Sequence, residues 1–263
     1  MTTKTVQHLR QILDQRHIPA MGAVRAETLN QKAPAGFRPM DHFPESQTVL
    51  IFAKPLPLSV FLSPPQTKMH SFYTASFHSE YQTMNETVNG LCMILQEAGH
   101  LSLPIPSYSP IRFHKGEPHG LVSLKHAAVE AGLGKMGKNT LLIHPTLGNI
   151  TRLGGLMTTM PWPEDPLGKL PKPCPESCTK CMDACPVGAL SPAGIDKTRC
   201  MVNCVEHILM PPRIMARLLK WTTAHSRFMT WIMDLLTISL FNSYGISCFR
   251  CLTACPHFPG NRI

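Results

Sequence analysis

Hydrophobic residues in the first 160 positions recur with two different periods. Spacings of three and four residues, typical of one face of an α-helix, occur in the segments 3–17, 84–95 and 121–131. Short continuous apolar runs, typical of buried strands, occur at 47–53, 140–145 and 153–159. Because helical and strand patterns alternate, the sequence predicts an α/β sandwich for this part of the chain.

A proline-rich segment separates this part from the rest of the chain. Residues 161–175 contain six prolines, which favour an extended linker over a helix or a sheet. We therefore predict two domains, an α/β domain over residues 1–165 and a cysteine-rich domain over residues 166–263.

The second domain contains a long helical pattern over residues 211–241. Its apolar part, 228–240, is interrupted by Asp234 and is shorter than the ~20 residues of a membrane span, so a buried helix is predicted. The beginning of the pattern is amphipathic, because Arg213, Arg217 and Lys220 lie opposite apolar residues. Such a helix either exposes its basic face to solvent or docks on a membrane surface or an acidic partner such as an electron donor.

The net charge, the N-terminal residues and the cysteine count together predict the cellular compartment. The net charge of +9 arises from 25 Lys and Arg against 16 Asp and Glu without a basic run, which is typical of a moderately basic soluble protein. The first ten residues lack the apolar core of a secretory signal. Ten cysteines without such a signal favour reduced thiols and metal ligands over disulfides, and predict a cytoplasmic protein.

The stretch Gly132–Thr140, GLGKMGKNT, contains the spacing Gly-x-Gly-x-x-Gly. In a dinucleotide-binding site this spacing follows a strand and opens a helix, but here a helical pattern precedes it and a strand pattern follows. A phosphate-binding loop is disfavoured because Asn139 stands where Ser or Thr would hold magnesium. The glycines therefore either cap a helix and permit a tight turn, or let a large planar cofactor approach the backbone. The residues of such a cofactor site would be Gly132, Gly134, Gly137, Lys138 and Asn139.

Two segments of the second domain, 178–186 and 248–256, share the pattern Cys-x-x-Cys-x-x-Ala-Cys-Pro. In the bacterial ferredoxin run the closely spaced cysteines bind one [4Fe–4S] cluster, and the cysteine before proline binds the other. Two Cys-x-x-Cys pairs can also form a structural zinc site, but zinc gives no reason for a third cysteine followed by proline in both segments. The sequence therefore predicts two [4Fe–4S] clusters.

Each cluster needs one further ligand from outside these segments. Cys174 lies upstream of the first segment; for the second cluster Cys200 is the preferred candidate and Cys204 the alternative. Cys92 lies in a helical pattern and is expected to be a small buried hydrophobe. With the cysteines before proline exchanged, the first cluster is bound by Cys174, Cys178, Cys181 and Cys255. The second is bound by Cys185, Cys200, Cys248 and Cys251.

Several of these segments, taken in order, resemble the epoxyqueuosine reductase family, which is related to the reductive dehalogenases. The resemblance rests on residues 125–148 and 152–159, on both cysteine segments and on Arg199-Cys200. It implies a nitroreductase-like α/β domain that binds cobalamin, followed by a two-cluster, bacterial ferredoxin-like domain. It also implies that the clusters pass single electrons to the cobalt, whose reduced form attacks the substrate, and that the glycine stretch belongs to the cofactor and substrate pocket.

Three features depart from the family pattern. The proton-donating aspartate expected about a dozen residues before the Ala-Gly-Leu-Gly stretch has no counterpart, and Glu117 and His119 are the candidate catalytic proton donors in that region. Residues 114–120 are equally typical of a polar surface loop. Lys135 replaces the usual aromatic residue, and the chain ends at Ile263, before the helical-repeat extension that helps longer relatives grip tRNA. These departures predict a small-molecule substrate other than epoxyqueuosine, and they argue against tRNA as a partner.

Two functions agree with these features. The first is an iron–sulfur oxidoreductase whose two clusters receive electrons from a ferredoxin- or flavodoxin-type donor and pass them to a cofactor, cobalamin by the resemblance, and a small substrate. The second is a non-catalytic electron carrier or accessory protein whose α/β domain binds a partner protein. The missing aspartate weakens the first without excluding it.

Overall fold

The computed structural model describes residues 2–65, 69–108, 110–162, 168, 170–207, 210–240 and 244–262. The helices are α1 (Thr2–Gln15), α2 (Ala26–Lys32), α3 (Pro39–His42), α4 (Ser59–Leu62), α5 (Ser71–Glu97), α6 (Leu124–Glu130), α7 (Lys180–Asp183), α8 (Lys197–Cys204), α9 (Ala216–His225), α10 (Arg227–Leu240) and α11 (Arg250–Thr253). The strands are β1 (Ala20–Arg25), β2 (Thr48–Pro55), β3 (Ser102–Ile105), β4 (Ile111–His114), β5 (Glu117–Gly120), β6 (Lys135–Met136), β7 (Leu142–Ile143), β8 (Thr151–Thr158), β9 (Leu190–Ser191), β10 (Gly194–Ile195), β11 (Val205–Glu206) and β12 (Gly245–Ile246).

The central sheet has the strand order β1-β2-β8-β3, and each neighbouring pair is antiparallel. Successive side chains of β2 point to opposite faces, because side chains alternate along a strand. Val49 and Ile51 join one core with residues of α6, whereas Leu50 and Phe52 join a second core with residues of α1 and α5. The first part of the chain is thus a mixed α/β unit with helices on both faces of its sheet.

Most of the elements predicted for this unit are present. The helical patterns correspond to α1, α5 and α6, and the apolar runs near 50 and 155 correspond to β2 and β8. The run at 140–145 yields only the two residues of β7, because Thr140 has a φ of 58° and belongs to the preceding turn. The mixed α/β class is confirmed. The strand β1 was not among the predicted elements.

The predicted domain boundary lies partly outside the described residues, since 163–167 and 169 are not among them. The described residues 161–162 and 170–172 have no regular secondary structure. Beyond them the sequence repeat is also a structural repeat. The short helix α7 follows Cys178 and contains Cys181, α11 follows Cys248 and contains Cys251, and these two helices contact each other.

The long helix predicted for 211–241 is divided in the structure. A short 3-10 turn at Arg213–Met215 leads into α9, Ser226 separates α9 from α10, and the last residue of the predicted range lies outside the described residues. The prediction that 228–240 is a buried helix is wrong for one of its faces. Met233 packs inward, but Phe228 and Trp231 are 65% and 59% exposed. The reason is that α10 packs against the protein, chiefly against β4, along a single side.

The hairpin β4–β5 joins the two parts of the chain. Lys115 and Gly116 form its two-residue turn, and both have positive φ, 51° and 75°. The carbonyl oxygen of Gly116 accepts a hydrogen bond from Thr198 at 2.8 Å, and the N–H of Phe113 donates to Asp234 Oδ1 at 2.8 Å. The hairpin therefore packs between α8 and α10, and the surface-loop interpretation of residues 114–120 is wrong.

An aromatic core connects the cysteine segments to the α/β unit. Phe61 of α4 lies 5.1 Å from Tyr73 of α5, 5.5 Å from Phe249 and 5.6 Å from Phe258, measured between ring centroids. Phe249 stands between two cysteines of the second segment. The position of these cysteines relative to α5 is therefore fixed by packing. Among the helices that the structure describes, none is both long enough and apolar enough to cross a membrane.

Candidate functional site

Four cysteines that are far apart in the sequence border one cavity of about 580 Å³. They are Cys174, Cys178 and Cys181 from the first segment and its approach, and Cys255 from the second segment. Burial raises the pKa of Cys255, and the neighbouring thiols Cys174, Cys181 and Cys178 raise it further. The structure thus brings together the four residues predicted to bind the first cluster.

A second group of cysteines surrounds Cys251. Burial raises the pKa of this thiol to about 12, and Cys200, Cys248, Cys185 and Cys181 contribute to the increase. Three of these neighbours are the other ligands predicted for the second cluster. The fourth, Cys181, belongs to the first group, so the two groups of thiols are adjacent.

Cys200 and Cys204 lie one turn apart on α8, and their thiols are hydrogen-bonded. This hydrogen bond is the main cause that lowers the pKa of Cys200 and raises that of Cys204. The positive charge of Lys125 also lowers the pKa of Cys200. A metal ligand is a thiolate, so the lower pKa favours Cys200 over Cys204 as the ligand. The positions of the two thiols do not distinguish them, because the thiols are in contact. Elsewhere in the group the N–H of Ala189 donates to Cys185 Sγ at 3.2 Å, a contact that tunes cluster thiolates.

A single zinc ion and a four-iron cluster require different spacings of their thiolate ligands. A zinc ion with Zn–S bonds of roughly 2.3 Å would hold its sulfurs about 3.8 Å apart. Among the described residues, no three His, Cys, Asp or Glu side chains converge closely enough to hold one metal ion. A four-iron cluster spaces its cysteines more widely because each cysteine binds a different iron.

The glycine stretch packs against its own hairpin, β6–β7. Gly132 has a φ of 76° and ends α6, as the capping interpretation expects. A Cβ on Gly134 would lie 2.6 Å from the carbonyl oxygen of Ile143, and one on Gly137 would lie 2.7 Å from Ile143 Cδ1. The chain's own atoms occupy the space that these glycines leave. Gly134 and Gly137, two of the positions expected to face a planar cofactor, therefore direct their free side towards the chain's own hairpin.

Lys138 and Asn139, the other two residues expected at a cofactor, border the first cysteine cavity. Lys138 Nζ donates to the carbonyl oxygens of Glu176 and Cys178 at 2.6 and 3.0 Å. The buried side chain of Asn139 donates to the carbonyl oxygen of Cys251 at 3.3 Å. Both residues fasten the glycine hairpin to the cysteine segments, and Lys138 adds a positive charge beside the first group of thiols.

Glu117 and His119, the predicted catalytic residues, lie on β5 and contact α8. Glu117 forms an ion pair with Lys220 Nζ and accepts the N–H of Lys197 at 2.9 Å. These contacts tie β5 to α8 and α9. Lys197 Nζ lies 3.1 Å from His119 Nε2. Burial, and then the charge of Lys197, lower the pKa of His119 to about 4, so the imidazole is neutral at pH 7 and can accept a hydrogen bond from Lys197.

Comparison with known proteins agrees with the resemblance. No family model matches the sequence. Epoxyqueuosine reductase of Bacillus anthracis is 39% identical over 83 residues, which are 31% of this chain and 21% of that protein. The enzyme of Synechococcus sp. (strain CC9605) is 39% identical over 98 residues, 36% of this chain and 30% of that protein. A crystal structure of epoxyqueuosine reductase superposes on 99% of this chain with a TM-score of 0.62 and 18% identity. The protein is epoxyqueuosine reductase-like.

The similarity is nevertheless partial in length. The epoxyqueuosine reductase-like chain matches 67% of the solved enzyme and about a fifth of the first curated relative. A structure of epoxyqueuosine reductase with a tRNA-Tyr stem loop gives a TM-score of 0.63 at 18% identity. A catabolic reductive dehalogenase gives 0.50 at 15% identity, over 87% of this chain and 36% of that protein. At such identities the solved structures establish a shared fold.

Two basic residues of the candidate site were not predicted. Lys197 begins α8 one turn before Cys200, and burial lowers its pKa while Glu117 raises it. Lys125 of α6 donates to the carbonyl oxygen of Thr140 at 2.9 Å. The sequence holds no pattern that relates these lysines to Cys200, because they meet only through the packing of α6, β5 and α8.

A buried arginine near the second group of thiols was also missed. Arg152 of β8 is 6% exposed and donates to the hydroxyl of Tyr73 at 2.5 Å, and its guanidinium lies 5.1 Å from the ring centroid of Phe77. The ring of Tyr73 in turn lies 4.7 Å from that of Phe249, which follows Cys248. This places a buried positive charge behind the aromatic layer that supports the second cysteine segment.

We expect the stability of the protein to decrease as the pH falls from about 6.5 towards 4, and His119 to cause part of the decrease. The pKa of His119 is about 4 in the folded protein against about 6.5 when unfolded, so the unfolded chain binds the proton first. Above about pH 6.5 His119 is neutral in both the folded and the unfolded protein, so it does not change the free energy of unfolding with pH. Equilibrium unfolding of the wild type and of His119→Gln, measured anaerobically between about pH 7.5 and 5, should show a shallower pH dependence in the variant. Equal slopes would contradict the assignment.

Proposed function

We propose that the protein is an iron–sulfur reductase that carries single electrons through two [4Fe–4S] clusters to a small substrate. The observation that carries this proposal is the meeting of Cys255 with Cys174, Cys178 and Cys181 around one cavity. A duplicated ferredoxin pattern requires this exchange of cysteines between segments, whereas a zinc site does not. When bound, such clusters supply one-electron transfer at low potential.

The ligands of the two clusters would be the two groups of thiols described above. Cys174, Cys178, Cys181 and Cys255 would bind the first cluster, and Cys185, Cys200, Cys248 and Cys251 the second. Because Cys251 has neighbours in both groups, the clusters would be close enough to exchange electrons directly. The α/β unit would be nitroreductase-like and the cysteine-rich part ferredoxin-like, which the shared fold with epoxyqueuosine reductase supports.

The second group of thiols offers the better position for a substrate. Lys197 lies one turn from Cys200 and contacts His119, and the charge of Lys125 acts on Cys200 itself. Reduction of most organic substrates consumes protons together with electrons, and a partly desolvated lysine is a suitable donor near neutral pH. We therefore assign proton donation to Lys197 and orientation of its ammonium to His119 and the carbonyl oxygen of Pro118. The accumulated positive charge favours a polar or anionic substrate.

Cobalamin is assigned no step in this proposal, although the related families suggest it. Gly134 and Gly137, two of the glycines expected to face a corrin, instead pack against Ile143, so their packing does not support a corrin at that position. The electron donor would be a ferredoxin- or flavodoxin-type protein. Free thiols in all ten cysteines agree with a reducing compartment such as the cytoplasm.

A tRNA-borne substrate is the second candidate, because one solved structure of epoxyqueuosine reductase contains a tRNA stem loop. The net charge of +9 agrees with an anionic partner of this kind. Binding of a tRNA stem loop that weakens steeply with salt would support this candidate over the small molecule.

Anaerobically purified protein tests the proposal. We expect about eight irons and eight sulfides per chain, little zinc, and broad visible absorption that bleaches on reduction. After incubation with cobalamin and gel filtration, retained corrin bands would restore a corrin-dependent mechanism. Zinc in place of iron would refute the reductase. Intact clusters that reduce no added acceptor, in a protein that forms a stable complex with another redox protein, would instead favour the non-catalytic carrier.

A further inference from the structure

Large hydrophobic side chains are exposed on three consecutive elements, the turn at Arg213–Met215 and the helices α9 and α10. Ile214 is 90% exposed, Trp221 61% and Phe228 65%. The exposed apolar residues of this region, here called the helical apolar surface, are Ile214, Met215, Leu218, Trp221, Phe228, Trp231, Leu235 and Ile238. Soluble proteins rarely expose so many large side chains together unless the surface binds something.

The helical apolar surface belongs to a helix pair that is held in place. Thr230 Oγ1 donates to the carbonyl oxygen of Thr223 at 2.8 Å, which fixes the bend between α9 and α10. Asp234 accepts the N–H of Phe113, and Met233 is buried in the core beside β4. On α10 the exposed residues recur at spacings of three, four and three, so they form one line along a helix of about 21 Å.

The charges beside this surface are positive. Residues 207–240 contain four Lys and Arg and a single acidic residue, Asp234, whose carboxylate accepts a hydrogen bond from the hairpin. Of the four, Lys220 is paired with Glu117 and Asp196, and Arg213 lies 4.0 Å from Glu206. Arg217 and Arg227 are exposed at the two helices. Two copies of this surface would bring like charges together, which disfavours self-association. The carboxylates of an acidic protein would be complementary to the arginines, but not to the row of exposed apolar side chains on α10.

We propose that α9 and α10 lie on the surface of an anionic lipid bilayer. A helix with aliphatic and aromatic residues on one side and flanking arginines is suited to the boundary between acyl chains and headgroups. Tryptophan is favoured at that boundary because its ring is apolar and its N–H can reach a polar partner. The arginines would contact lipid phosphates, and the hairpin β4–β5 would hold the helices parallel to the membrane without crossing it.

Vesicle binding of the full-length, anaerobically purified protein tests this proposal. We expect flotation with vesicles that contain phosphatidylglycerol, weaker binding to pure phosphatidylcholine, and a loss of binding as salt increases. Two of the three tryptophans lie on the surface, so their fluorescence should shift to shorter wavelength when anionic vesicles are added. This readout does not depend on the proposed reductase activity.

Single substitutions test whether the helical apolar surface is the part of the protein that binds vesicles. Trp231→Ser and Phe228→Ser should each lower vesicle binding about tenfold, and Arg217→Gln about fivefold on anionic vesicles only. Met93→Ser is the matched control, because Met93 is 57% exposed on α5, outside this surface. Absence of vesicle binding by the wild type would overturn the proposal. The proposal would also be overturned if the wild type did not bind vesicles but formed a dimer, or a complex with an acidic redox protein, and if Trp231→Ser abolished that association.

Discussion

Replacing Cys255 with alanine removes the same four irons as replacing Cys181, although the two residues belong to different cysteine segments. Both border the first cavity. We expect each single variant to retain about four irons of about eight, and the double variant Cys181→Ala/Cys255→Ala to retain about four as well. The iron losses do not add because both residues hold one cluster. Iron and sulfide analysis of anaerobically purified variants measures this result.

A second double variant combines two cysteines of the same segment that are predicted to bind different clusters. Cys181 and Cys185 are four residues apart, yet Cys185 neighbours Cys251 in the second group of thiols. The double variant Cys181→Ala/Cys185→Ala should therefore lose nearly all of the roughly eight irons. Cys92→Ala is the control, because Cys92 is buried in the core between α5 and the sheet and should leave the iron content unchanged. If Cys181→Ala/Cys255→Ala lost both clusters while Cys181→Ala/Cys185→Ala lost one, each segment would hold its own cluster and the exchange would be wrong. Circular dichroism of each variant distinguishes cluster loss from unfolding.

Gly116→Ala should destabilise the protein more than Gly99→Ala, although both glycines have positive φ. A Cβ at this position would overlap the backbone carbonyl oxygen of Lys220, and Gly116 has a φ of 75°. The backbone conformation costs an alanine about 1–2 kcal/mol, and the overlap adds about 1–3 kcal/mol because α9 must move. Thermal unfolding should show a decrease in Tm of roughly 2–4 °C for each kcal/mol.

Gly99→Ala is the matched control for this variant. Gly99 follows α5 with a φ of 87°, and a Cβ there would contact nothing within 4 Å. It therefore isolates the conformational cost of about 1–2 kcal/mol from the cost of the overlap. Equal changes in the free energy of unfolding for the two variants would show that the hairpin β4–β5 is not tightly packed against α9.

Much of the α/β unit could be predicted because its signals are local. Val49 to Phe52 form a continuous apolar run that is buried on both faces of the sheet, and Leu91 and Leu95 lie one turn apart on the buried side of α5. The proposed ligand sets rest on spacing in the same way, since a cluster constrains the order of its cysteines along the chain. The hairpin β4–β5 was not predicted from the sequence, because Lys-Gly is a weaker turn signal than Asn-Gly.

The candidate site was predictable only in part. Glu117 was singled out as a proton donor, but its ion pair with Lys220 depends on α9, which is about 100 residues further along the chain. The glycine stretch carried a local pattern that agrees with both packing and cofactor binding. Only the tertiary structure shows that Ile143 packs against Gly137.

The sequence by itself determined the cysteine pattern, the division into an α/β part and a cysteine-rich part, and the periodicity of the main helices. Only the tertiary structure decided that α10 exposes Phe228 and Trp231, that Lys197 contacts His119, and that Arg152 is buried beside Tyr73. The physical reason is that periodicity and ligand spacing are set by neighbouring residues. Exposure, ion pairs and pKa depend on contacts between segments that are distant in the chain, and these form only when the elements pack.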